Sequence, residues 1–130
     1  MSKILFIDDD MLTLKLMNKE AEILGYQSFT CPDPLNAIQQ VFSTNPDLIL
    51  IDINMQDVSG FQVVNQIRSH ACSASIPVLI LSAGDPSIEG KKALEAGANG
   101  FLSKPLSIAG LESAVKMYAK QEQLICNFSF

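Results

Sequence analysis

Four uninterrupted apolar blocks punctuate the chain: Ile4-Leu5-Phe6-Ile7, Leu48-Ile49-Leu50-Ile51, Val78-Leu79-Ile80-Leu81 and the shorter Phe101-Leu102. Each is rich in strand formers and bounded by turn residues. None alternates apolar with polar. Such blocks predict strands buried on both faces, as in a parallel sheet covered by helices. A weaker strand is predicted from Tyr26 to Cys31, ended by Pro32.

Between the blocks lie stretches with helical spacing. Leu12, Leu16, Met17, Ile23 and Leu24 form one apolar stripe, stopped by Gly25. Leu35, Ile38, Val41 and Phe42 form a second, closed by Asn45-Pro46. Phe61, Val64 and Ile67 form a third, with Arg68 in its last turn. Ile88, Leu94 and Ala98 form a weaker fourth. The fifth runs from about Leu106 to Lys120 through Leu111, Ala114, Val115 and Tyr118. Strand and helix thus alternate five times, which predicts one α/β domain with a parallel sheet and right-handed crossovers.

Composition narrows the class. A chain of 130 residues with 48% hydrophobic and 18% charged residues suits one ordinary core rather than disorder. The formal net charge of −5 argues against a nucleic-acid or anionic-membrane partner. Apolar runs of four residues are too short to span a bilayer, and the first residues lack the apolar core of a secretory signal. Cys31, Cys72 and Cys126 are odd in number and widely spaced, and His70 is the only histidine. Neither a disulfide framework nor a zinc site is expected, which points to a cytoplasmic protein.

The chemistry gathers where the apolar blocks end. The first ends in Asp8-Asp9-Asp10, the second in Asp52, the third in Ser82 and the last in Ser103-Lys104. In a doubly wound sheet these are the carboxyl ends of neighbouring strands, where ligands bind. Crowded carboxylates repel one another unless something neutralises them. A hard divalent cation such as Mg²⁺ suits Asp8, Asp9 and Asp52, with carbonyl, water or phosphoryl oxygens completing its shell. A phosphoryl group would employ the rest: an aspartate as nucleophile, Ser82 as hydrogen-bond donor, and Lys104 as a positive charge.

These residues, in this order and spacing, strongly resemble the receiver domain of two-component response regulators. The matching segments are Ile4 to Asp10, Asp47 to Met55 with Gly60, Pro77 to Ala83, and Gly97-Ala98 followed by Phe101-Leu102-Ser103-Lys104-Pro105. The resemblance implies a flavodoxin-like (βα)5 doubly wound parallel sheet with strand order 2-1-3-4-5. It implies that Asp52 is the phosphoacceptor. Asp8, Asp9 and Asp52, with the backbone carbonyl of Asn54, would hold Mg²⁺ or Mn²⁺. Ser82 and Phe101 would be the switch pair, Lys104 the catalytic lysine, and Lys104-Pro105 a cis peptide. The implied donor is a sensor histidine kinase or a histidine phosphotransfer protein. The implied output is a downstream protein target, met through the surface of the fourth helix, fifth strand and fifth helix. Lys91, Lys92, Glu95, Glu112 and Lys116 lie on those helices and leave a homodimer with cross-subunit ion pairs open. Residues 1–120 would form the receiver domain, and 121–130 a tail without an output domain.

Some positions depart from the family pattern. Phe101 stands where tyrosine is frequent, and Gln56 where proline is common, which predicts a less pre-set loop. Gly84 places no side chain over the phosphoryl site. Gly90 weakens the fourth helix. Asp10 has an alternative role as a helix cap. Three other functions compete. A haloacid-dehalogenase-type phosphatase needs a second aspartate where Asn54 stands. A flavodoxin-type FMN carrier would not open its phosphate loop with three aspartates. A phosphorylation-independent receiver module would not need the full set of acids, hydroxyl and lysine. The chain is not expected to be an enzyme on outside substrates; it is expected to act only in its own phosphoryl transfer and hydrolysis.

Overall fold

The computed structural model describes residues 2–119. The predicted tail at 121–130, with Cys126, lies outside the described residues, as does Lys120, the predicted end of the fifth helix. Strands β1 (Lys3–Ile7), β2 (Gln27–Cys31), β3 (Leu48–Asp52), β4 (Val78–Ser82) and β5 (Gly100–Ser103) alternate with five helices. These are α1 (Met11–Ile23), α2 (Ala37–Thr44), α3 (Gly60–Arg68), α4 (Pro86–Ala96) and α5 (Ile108–Tyr118). The sheet is parallel throughout, in the order β2-β1-β3-β4-β5. The expected doubly wound topology is therefore present.

The pleat divides the core in two. Leu5, Ile7, Ile49, Ile51, Val78 and Ile80 face one side, where Val41 of α2, Val63, Val64 and Ile67 of α3, and Ala93 of α4 cover them. Ile4, Phe6, Leu48, Leu50, Leu79 and Leu81 face the other, against Leu14, Met17 and Ala21 of α1 and Leu111, Ala114 and Val115 of α5. Every residue of β3 and β4 is buried, as uninterrupted apolar blocks require.

Helix faces differ from the stripe reading. In α1 the core takes Leu14, Met17 and Ala21, while Leu12, Leu16 and Ile23 stay 65%, 59% and 63% exposed. The helix carries apolar residues on more than one face, so periodicity alone does not select the buried one. Leu35, Phe42, Ile88 and Leu94 are likewise exposed, and Ala93 is the buried residue of α4. The α5 stripe matches the prediction at Leu111, Ala114 and Val115, although the helix begins at Ile108 rather than Leu106.

Helix starts are fixed by side-chain caps. Asp10 Oδ1 accepts from Leu12 N at 3.1 Å and Oδ2 from the Thr13 hydroxyl at 2.7 Å, so the capping role of Asp10 is the one realised. Ser59 and Gln62 form a reciprocal capping box on α3, and Asp85 and Ser107 cap α4 and α5. The Arg68 guanidinium ties the end of α3 to Gly97 O, Ile76 O and the Asn99 side chain at 2.7–2.8 Å.

Two glycines have opposite reasons for being small. A Cβ on Gly60 would lie 2.7 Å from the backbone oxygen of Asp52, so only glycine lets α3 start against the end of β3. A Cβ on Gly90 would meet nothing closer than 4.0 Å, at Phe101 Cβ. Gly60→Ala is expected to cost about 1–3 kcal/mol by forcing backbone apart. Gly90→Ala is expected to stabilise by about 0.5–1 kcal/mol through helix propensity. Urea denaturation of both variants beside wild type checks the opposite signs.

Candidate functional site

The carboxyl edge of the sheet brings together residues far apart in sequence. Asp8 follows β1, Asp52 ends β3, Ser82 ends β4 and Lys104 follows β5. Parallel register aligns these ends, pairing Ile7 with Ile51, Asp52 with Leu81, and Ser82 with Ser103. Asp8, Asp52 and Ser82 are buried, an uncommon environment for carboxylates that lack a partner.

Carboxylate oxygens of Asp8, Asp9 and Asp52 all lie within 4.8 Å of one another. Lys104 Nζ reaches into this group, 2.7 Å from Asp52 Oδ1 and 3.4 Å from Asp8 Oδ2. Asp8 Oδ1 accepts from Asp10 N at 2.9 Å. Asp9 Oδ2 accepts from Gln56 N at 2.9 Å. Here the departure at Gln56 has a use: a proline would have no N–H to give. The loop after β3 is tied to the acid cluster through that bond.

Electrostatics follow from the geometry. Burial raises the Asp8 carboxyl, and repulsion from Asp52 adds to it, against the lowering effect of Asp10 N–H and Lys104. Burial alone would lower Lys104, but its bonds to Asp52 and Asp8 outweigh this and leave it raised. Two like charges about 5 Å apart repel by roughly 3 kcal/mol at an effective dielectric of 20. Three carboxylates facing one ammonium leave two negative charges in excess. Hard oxygen donors with that deficit fit a divalent cation.

Ser82 Oγ accepts from Gly84 N at 3.0 Å, which leaves its own proton available to another acceptor. Phe101 is half-buried and packs against the core on the α2–α4 side. The Lys104–Pro105 peptide is cis. Asn54 is exposed, two residues beyond Asp52. His70 is exposed, with its ring edge against Phe42 and Nδ1 2.8 Å from Gln66 O, remote in role from the acid cluster. Lys116 pairs with Glu112 of its own helix at 3.6 Å.

Two acidic residues escaped the sequence reading. Glu20 lines a groove of about 490 Å³ beside Lys104, with Leu16, Met17, Pro105 and Leu106, and burial raises its carboxyl. Glu89 of α4 folds over Gly84, its Cγ 3.0 Å from where a Gly84 Cβ would stand. In each, one carboxylate oxygen is buried without a hydrogen-bond partner. A glutamate on an exposed-looking helix turn gives no sequence signal of this. The missing side chain at Gly84 was the one available hint.

A pH prediction follows for Asp8. A folded value above the ordinary 3.8 means that folding favours its protonated form. Its contribution to stability is present below 3.8 and is lost as pH rises through the folded value. Asp8→Asn is therefore expected to be more stable than wild type at pH 7 without divalent ions, with the gap closing as pH falls through the folded value towards 3.8. Thermal denaturation in chelator across pH checks the sign.

Comparison with known proteins agrees with the geometry. A family model described as the response regulator receiver domain matches residues 4–116. The transcriptional regulatory protein PrrA of Mycobacterium leprae is 34% identical over 114 residues, 88% of this chain and 48% of that protein. The alkaline phosphatase synthesis transcriptional regulatory protein PhoP of Bacillus subtilis is 29% identical over 94% of this chain and 50% of that protein. This chain spans about half the length of these relatives. Among solved structures, the receiver domain of the Francisella response regulator 1452 superposes with a TM-score of 0.83 at 28% identity, covering 92% of this chain and 98% of that one. The receiver domain of sensor histidine kinase PA1611 from Pseudomonas aeruginosa, solved with magnesium in its active-site cleft, has a TM-score of 0.83 at 22% identity, covering 92% and 98%.

Proposed function

The chain belongs to the response regulator receiver domain family, and from that premise we propose that it is a phosphorylation switch whose acceptor is Asp52. The observation that carries this is the placement of Asp52 Oδ1 2.7 Å from Lys104 Nζ, inside a cluster of three carboxylates at the strand ends. An ion-pair cluster kept only for stability is a poor account, because buried charges rarely add net stability.

In the proposed reaction an Asp52 Oδ lone pair forms the new O–P bond. The N–P bond of a donor phosphohistidine breaks, and its electron pair returns to the imidazole nitrogen, which takes a proton from solvent. Lys104 is placed to offset charge on the phosphoryl oxygens, and Ser82 has a free proton to donate to one of them. Held by Asp8, Asp9, Asp52 and the Asn54 carbonyl, Mg²⁺ or Mn²⁺ would supply the two positive charges that the cluster lacks. Hydrolysis of the same O–P bond would return the carboxylate, so the chain acts on itself rather than on an outside substrate.

The partners on this reading are a sensor histidine kinase or histidine phosphotransfer protein as donor and a protein target as receiver of the signal. Exposed Leu12 and Leu16 on α1, close to the acid run, suit contact with an apolar protein surface. Among the described residues no helix is long and apolar enough to cross a membrane. A cytoplasmic site of action, with residues 1–120 as the working domain and 121–130 as an appended tail, completes the proposal. The phosphorylation-independent reading finds no support here, since acids, hydroxyl and lysine are all present and at one edge.

The test is intact-protein mass after incubation with acetyl phosphate. Wild type with Mg²⁺ is expected to gain one phosphoryl group. Asp52→Asn, and wild type in chelator, are expected to gain none. Lys104→Met is expected to retain the metal requirement and lose most of the gain. A wild type that binds Mg²⁺ yet never gains mass would overturn the switch reading.

A further inference from the structure

Gly84 leaves a space beside Ser82 that another element fills. Three atoms converge on the one point where a Gly84 Cβ would stand: Glu89 Cγ at 3.0 Å, Ser82 Oγ at 3.3 Å and Glu89 Cδ at 3.4 Å. The Glu89 carboxylate is therefore folded back from α4 against the loop that carries the Ser82 hydroxyl. Its Oε2 is buried with no hydrogen-bond partner. A carboxylate oxygen in that position carries the desolvation cost without the compensation that usually accompanies it. Lys104, the cation of the strand-end cluster, is committed to Asp52 and Asp8.

The next residue extends the contact. Gly90 backs onto Phe101, whose Cβ would be 4.0 Å from a Gly90 Cβ. One turn of α4 thus lies beside both the Gly84 loop and Phe101. That turn contains Gly90, which lowers its own helical stability.

We propose that Glu89 is a charge-sensing positioning residue, seated against Ser82 while Asp52 is a free carboxylate and expelled when Asp52 carries a phosphoryl group. The inference rests on the phosphoacceptor reading of Asp52 and adds the element that transmits it. Phosphorylation replaces a single charge by about two and recruits Ser82 as a donor to the new group. Both changes act against Glu89. The anion gains a stronger like-charge neighbour, and its seat beside the hydroxyl is withdrawn. Leaving for solvent relieves the buried oxygen and loosens the turn that holds Phe101. Glycine at 84 supplies the space that Glu89 fills, since a Cβ there would stand 3.0 Å from Glu89 Cγ and press its stem outward.

The experiment is amide hydrogen exchange over residues 86–96, read by mass spectrometry with and without acetyl phosphate and Mg²⁺. Intact mass of the same samples gives phosphoryl occupancy. In wild type, exchange over the first two turns of α4 is expected to rise about tenfold on phosphorylation, reflecting a locally weakened element. Glu89→Gln keeps shape and removes charge, and at equal occupancy its rise is expected to fall below about threefold. Gly84→Ala keeps the charge and takes the space, against the flexible stem of Glu89 rather than backbone. Its exchange is expected to be raised already without acetyl phosphate. A purely structural role for Glu89 would change basal exchange in Glu89→Gln and leave the phosphorylation-linked rise intact, and that result overturns the inference. So does Gly84→Ala with wild-type basal exchange. If wild type gains no phosphoryl group, the phosphoacceptor reading itself has failed, and the inference with it.

Discussion

Everything at the sheet edge depends on one ammonium group. Lys104 Nζ sits between Asp52 and Asp8, and without it three carboxylates would face each other with no cation in contact. The lysine comes from the end of the last strand, and the acids from the first and third. Their meeting requires the crossover of order β2-β1-β3-β4-β5. The interaction that makes the site chemically usable is therefore also the one that is most remote in sequence. Its raised value keeps Lys104 charged through neutral pH: the stabilisation is present below the ordinary 10.5 and is lost as pH rises through the folded value.

The arrangement is a compromise between stability and chemistry. The sheet core is complete on both faces, so the fold can tolerate an edge that is electrostatically unfavourable. Lys104 offsets one of three negative charges and leaves the rest for a ligand. A better-neutralised cluster would be more stable but would offer little to a cation or a phosphoryl group. Hydrogen bonds from Asp10 N and Gln56 N fix the orientation of Asp8 and Asp9 without supplying a full charge. The acids are held in place while remaining electrostatically unsatisfied, the condition for binding rather than for rest.

How much of this was legible in the sequence depends on how local the signal is. Strands were legible because residues such as Ile49 and Ile80 are apolar on both sides of the pleat, and no helix face is needed to place them. The acids, hydroxyl and lysine were legible because each ends such a block. Helix faces were not: Leu12 and Leu16 are as apolar as Leu14, and the choice between them is made by the sheet beneath. The Gln56 tether was not legible because it uses a backbone N–H, which every residue but proline possesses. Glu20 and Glu89 were invisible because their burial comes from tertiary packing around ordinary helix-surface glutamates.

These last two residues reveal a pattern in where the fold places unsatisfied polar groups. The described side chains with a buried oxygen lacking a partner are both acids, and each borders a wall of the strand-end cleft. Glu20 lines the groove beside Lys104 and Pro105, and Glu89 lies over Gly84 beside Ser82. An unpartnered buried oxygen elsewhere in the core would cost stability and return nothing. At Glu89 the same cost favours release of the carboxylate to solvent, the movement proposed above for the phosphorylated state.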